Sequence, residues 1–98
     1  MKLVRDKIPQ IIIEDGRTPI YHIAEPEEYK RELFRKVIEE LEEFREDPCL
    51  EEAADLFEVA HTLVEAHGLS FAEIVDIGVR KSQLVGGFNR GVILDGVE

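Results

Sequence analysis

The sequence predicts an all-α fold: four helices built on a central antiparallel helix hairpin, dimerising through its helices. Three observations carry that expectation. Apolar residues recur at spacings of three and four through the long middle segments, which is the helical period. Glycines and prolines stand at the ends of those segments rather than inside them. With 98 residues the chain suits a single domain spanning 1–98. A domain of this size buries only roughly 60–65% of the surface its unfolded form exposes, so its core is thin and subunit contacts are expected to help.

The elements follow in order. Arg5–Asp15 reads as a short helix ended by Gly16, with Pro9 tolerable near its first turn. Thr18–Ile23 is short and alternates poorly, which suits an extended connector. The next helix starts near Pro26, a good first-turn residue, and runs through Leu33, Phe34, Val37, Ile38, Leu41 and Phe44. Asp47-Pro48 interrupts it and reads as the cap and first residue of a third helix, Pro48 to His67, stopped at Gly68. Ser70 with Glu73 forms a capping box for a fourth helix, which Gly86-Gly87 ends. The tail from Phe88 to Leu94 suggests an extended, strand-like arm. In the third helix Ala53, Ala54, Leu56, Phe57, Val59, Ala60, Leu63, Val64 and Ala66 cover far more than a third of the circumference. A helix apolar on most sides is buried on most sides, and a second subunit is the natural cover.

Composition excludes several classes. No apolar run approaches the ~20 residues of a membrane span, and the N-terminus lacks the pattern of a signal peptide. The single cysteine, Cys49, cannot form an intramolecular disulfide or a CxxC metal site, so a cytoplasmic location is expected. There are 22 acidic and 12 basic residues, and 14 of the acids with 5 of the bases lie between Glu25 and Glu58. A nucleic-acid binder shows a basic face instead. The acidic block is either a solvated helix surface or a binding site for cations.

Two carboxylate pairs flank the Asp47-Pro48 break: Glu40 with Glu43, and Glu52 with Asp55. Spacing of i,i+3 stacks each pair on one side of its helix. The pairs are mirror-related about the break. In a hairpin folded there, Glu43 faces Glu52 and Glu40 faces Asp55, and four carboxylates converge on one patch. Facing anions repel unless a cation sits among them, and Mg²⁺ or Mn²⁺ suits such oxygen ligands. Against this stands the abundance of glutamate, 16 in 98 residues, which makes such pairs easy to reach by chance.

Lys36-Val37-Ile38-Glu39-Glu40-Leu41-Glu42-Glu43-Phe44, followed by Glu51-Glu52-Ala53-Ala54-Asp55-Leu56, resembles the EExxE…ExxD pattern of MazG-like nucleotide pyrophosphohydrolases. That all-α superfamily includes dimeric dUTPases and phosphoribosyl-ATP pyrophosphohydrolase. The opening Lys2–Pro9 and the closing Lys81…Gly86-Gly87-Phe88…Val92-Ile93-Leu94 resemble its small, single-domain house-cleaning branch. Eight residues separate Glu43 from Glu52, fewer than in many relatives. The resemblance implies Mg²⁺ ligands at Glu40, Glu43, Glu52 and Asp55, and hydrolysis of a nucleoside triphosphate between its α and β phosphates. It leaves Glu39 as a candidate general base or supporting residue, beside Glu40 and Glu43 in the catalytic stretch. Arg80, Lys81 and Lys7 are the first candidates for contacts to the substrate phosphates, with Arg5 and Arg90 also near the termini.

Other features are weaker. Glu58-Val-Ala-His61 matches one half of a di-iron bundle motif, but no second copy exists in the chain. Cys49 has no catalytic partner in the sequence, and no GxxxxGK[ST] phosphate loop is present. The expected function is a Mg²⁺-dependent nucleotide pyrophosphatase acting as a homodimer or larger homo-oligomer. The rival from another class is a non-catalytic acidic helical dimer serving as a protein-interaction module; a di-metal oxidase bundle comes third.

Overall fold

A computed structural model describes residues 1–98. The chain is all-helical: α1 spans Ile8–Glu14, α2 Pro26–Glu46, α3 Leu50–Ala66 and α4 Phe71–Val85. Two compact units divide it, Met1–Gly68 and Leu69–Glu98. None of its helices is long and apolar enough to cross a membrane.

In the first unit, α1 is shorter than the sequence suggests. Arg5 to Lys7 form a turn, Pro9 lies in the first helical turn, and Gly16 follows the helix with φ of +81°. Residues 17–25 are irregular, as the connector reading expected. Glu25 is extended (ψ 160°) and delivers Pro26 as the start of α2; Glu27 and Glu28 in the first turn and Arg45 in the last complement the helix dipole.

The start of α3 differs from the expectation. The helix begins at Leu50 and its N-cap is Cys49 (φ −135°, ψ 170°), without a side-chain cap bond. Asp47 instead closes α2, its N–H donating to the Glu43 carbonyl at 3.0 Å. Asp47 (φ −142°, ψ 82°) has the non-helical geometry expected before proline, but the next helix starts two residues after Pro48 rather than at it. Pro48 is absorbed in the connection, and Asp47 Oδ2 accepts the Cys49 thiol at 3.7 Å. With three residues between them, α2 and α3 turn back on each other and pack as an antiparallel pair.

Leu33 on α2 is the one fully buried hydrophobic side chain, and Glu40, two turns on, is the one buried charged residue. Val37 and Phe44 continue this half-buried inner stripe, while Phe34, Ile38 and Leu41 form a second stripe that is at least half exposed. α2 is therefore apolar on two sides, and α3 adds Phe57, 75% exposed.

In the second unit, the N–H of Glu73 donates to Ser70 Oγ at 3.3 Å, the cap the sequence indicates for α4. Gly86 (φ +85°) ends the helix. Phe71, Val75, Ile77, Val79, Leu84 and Val85 on α4 are all exposed. The tail is not a strand. Gly91 N–H closes a turn on the Phe88 carbonyl, and the residues beyond are irregular. A lone extended segment has no ladder to join.

Candidate metal centre

The hairpin brings carboxylates together across its interface. Glu40 of α2 and Glu52 and Asp55 of α3 each place one ligand oxygen within 4.8 Å of the others. Glu40 reaches this place because it shares the inner stripe of α2 with Leu33 and Val37, so the packing that buries leucine also buries a carboxylate. The mirror register the sequence implies brings Glu40 to Asp55. Glu43 is exposed and is not one of the trio, but its side chain faces that of Glu52, as the same register implies, and its charge acts on both Glu40 and Glu52.

One oxygen of Glu40 and one of Glu52 (Oε2 in each) are out of water and have no hydrogen-bond partner. Burial pushes the Glu40 carboxyl above its ordinary range; Lys36 opposes this, and the charges of Glu43 and Asp55 add to it. Glu52 is raised for the same first reason, loss of solvent, and then by Glu43, Asp55 and Glu40. Shielded carboxylates without donors are costly, and such oxygens are what a hard cation coordinates. An ion with oxygen ligands at about 2.1 Å spans oxygens up to about 4.2 Å apart. Only one pair among three ligands can stand opposite in this way, and neighbouring oxygens lie about 3 Å apart, so three atoms within 4.8 Å of one another draw in by up to about 2 Å to share one ion. Three carboxylate oxygens so placed could hold a hard divalent cation.

Basic residues frame the trio. Lys36 Nζ lies 3.3 Å from Glu39 and 3.4 Å from Glu40 and is largely buried. Lys2 reaches Glu39 at 3.6 Å. Glu39 thus sits between two ammonium groups and outside the trio, which suits a supporting role better than that of a free base. Arg5 spans two carboxylates of α3, Nη2 to Asp55 Oδ1 at 2.7 Å and Nη1 to Glu58 Oε1 at 2.8 Å. Sequence reading gave Lys36 no role and ranked Arg5 low. The i,i+3 and i,i+4 spacing of Lys36 to Glu39 and Glu40 was the available signal for the first. Nothing local signals a contact between residues 5 and 55.

A cleft of about 450 Å³ opens beside the cluster, lined by Leu3–Ile8, Lys36, Glu40, Asp55 and Glu58 among others. Lys7 is part of the lining, Tyr29 and Leu33 supply apolar surface, and the size suits a small-molecule ligand. Arg80 and Lys81 belong to the other unit, where Arg80 pairs with Asp76 of its own helix at 2.9 Å and Lys81 is exposed. In the Glu58…His61 motif, Glu58 bonds Arg5 and His61 Nε2 approaches Glu65 at 3.5 Å, so the pair does not act as one ligand set. No protein-family model matches the chain, and no curated protein or solved structure is significantly similar to it.

Proposed function

We propose that this chain is a Mg²⁺-dependent nucleoside triphosphate pyrophosphohydrolase of the MazG-like kind, cleaving between the α and β phosphates to give a monophosphate and pyrophosphate. The observation that carries the reading is Glu40, 94% removed from solvent with one oxygen unpartnered, inside a trio of ligand oxygens of which Glu40 and Asp55 line a ligand-sized cleft. Glu40, Glu52 and Asp55 hold the ion, and Glu43 adds charge at the rim. A bound divalent ion supplies charge neutralisation at the phosphates and an acidified water. Lys36 fixes Glu40 and Glu39 relative to one another. Lys7 and Arg5 supply positive charge in the lining of the cleft, where a phosphate chain needs it. Arg80 and Lys81, on α4 of the second unit, are further candidates for the same purpose.

The likeness of both chain ends to the house-cleaning branch supports non-standard nucleotides of the cytosolic pool as substrates. The two-sided apolar surface of α2 and exposed Phe57 support a homodimer or larger assembly. Release of pyrophosphate from a panel of standard and damaged triphosphates, with Mg²⁺ and with chelator, tests the reading. Release that depends on Mg²⁺ and is lost in Glu40→Gln upholds it; no release from any nucleotide overturns it. The same exposed stripe of Phe34, Ile38 and Leu41 favours a second reading, a non-catalytic dimer that docks a partner protein. That reading requires an inert chain in the same assay.

A further inference from the structure

Arg5 reaches two carboxylates that differ in role. Asp55 belongs to the candidate cation trio and Glu58 does not. All three side chains are open to water, 59% for Arg5, 40% for Asp55 and 62% for Glu58. Ion pairs exposed to this degree are screened and weak, so the guanidinium is placed but not locked. Its contacts with Asp55 and Glu58 hold it firmly charged. Arg5 also lines the cleft together with Glu40 and Asp55 of the trio, so a ligand in that cleft meets it directly.

Asp55 cannot serve two cations equally. A divalent ion drawn to the trio withdraws charge from Asp55 and loosens its hold on Arg5. The ligand that accompanies such an ion is anionic, and a planar guanidinium fork matches phosphate oxygens better than an ammonium does. Lys36, the neighbouring cation, is largely buried and committed to Glu39 and Glu40. Arg5 and Lys7 are the exposed cations of the cleft, and of the two Arg5 is the one joined to the trio, through Asp55.

We propose that Arg5 is an exchangeable cation, resting on Asp55 and Glu58 while the trio lacks a divalent ion and passing to the phosphate chain of the nucleotide once the trio is neutralised. This rests on the pyrophosphohydrolase reading above. It makes cation loading and phosphate capture cooperative, because the first event frees the group that performs the second. The N-terminal segment that carries Arg5 then shifts its attachment from α3 to the ligand.

The test compares the full-length chain with Arg5→Gln and Arg5→Lys in two binding measurements. Mn²⁺ alone is titrated by the electron paramagnetic resonance signal of the free ion, and inorganic tripolyphosphate is titrated calorimetrically at saturating Mg²⁺. In Arg5→Gln, Mn²⁺ should bind as tightly as in the parent or several-fold tighter, since Asp55 is no longer shared. Tripolyphosphate should bind about 10–100-fold more weakly, the worth of charge-assisted hydrogen bonds to an anion. Arg5→Lys should fall between, keeping the charge and losing the fork. It carries the comparison if circular dichroism shows that Arg5→Gln does not fold. Weaker Mn²⁺ binding with unchanged tripolyphosphate affinity makes Arg5 a fixed prop for Asp55 and overturns the exchange. Unchanged affinity for both probes overturns it too, leaving the pyrophosphohydrolase reading intact. A parent chain that binds no Mn²⁺ brings down both.

Discussion

At the scale of single residues, Glu40 is held where its charge has neither water nor a full set of donors, and the folded chain is less stable for it. Neutralising that charge should therefore act in opposite directions with and without metal. In chelator, Glu40→Gln and Glu52→Gln should each raise the melting temperature by removing repulsion and desolvation. With Mn²⁺ present, each should bind the ion at least about 10–100-fold more weakly, the range known for losing even an outer-shell partner. Glu42→Gln, on an exposed position of α2, should change neither. A melting temperature that falls in chelator for both variants overturns the account. The pH dependence has a definite sign. Both carboxyls have folded-state pKa values above their ordinary ones, so at intermediate pH the folded state binds more protons than the unfolded state. Their contribution is fully present below the ordinary carboxylate range and is lost as pH rises through the raised values. In chelator, the parent should lose more stability over that interval than the Glu40→Gln, Glu52→Gln double variant. Equal slopes would show that the two groups titrate normally.

At the scale of elements, the α2–α3 hairpin carries both the core and the candidate site, and it rests on very little buried hydrocarbon. Leu33→Ala should cost about 2–5 kcal/mol in denaturant titration, since it removes the only fully buried aliphatic side chain. A cost near zero would mean that the hairpin is held elsewhere. Ser70→Ala should cost about 1 kcal/mol by removing the cap of α4. Gly68→Ala should cost about 1–2 kcal/mol through the left-handed backbone alone, because nothing lies near the added carbon. Helix positions were legible in the sequence wherever spacing and punctuation agreed: Pro26, Gly68, Ser70 and Gly86 each stand at or beside a helix end. The start of α3 was not, since the same Asp-Pro pair can cap one helix or close another, and only packing decides. The Glu40–Asp55 register followed from mirror spacing about the turn. The bond from Arg5 to Asp55 joins residues 50 positions apart and leaves no periodic trace.

At the scale of the whole molecule, the balance between apolar surface and cover is the governing quantity. In the first unit Phe34, Ile38 and Leu41 on α2 and Phe57 on α3 are exposed, and in the second unit so are the apolar residues of α4; burying such surface is the main favourable term in association. Sedimentation equilibrium should return at least twice the 11.2 kDa chain mass. Ile38→Glu should shift the population toward monomer. A monodisperse monomer of the parent at micromolar concentration overturns the assembly argument. Cys49, unremarkable for chemistry, matters here for another reason. It is the only cysteine, it is exposed, and it stands at the tip of the hairpin one helical turn before Glu52. A nitroxide attached there marks each subunit once. Dipolar spectroscopy on the labelled protein would then count hairpin tips and measure the spacing between them, while added Mn²⁺ would broaden the label's signal only if it settled nearby. One thiol in the connection between two helices thus offers a single vantage point from which both the proposed assembly and the proposed ion can be tested.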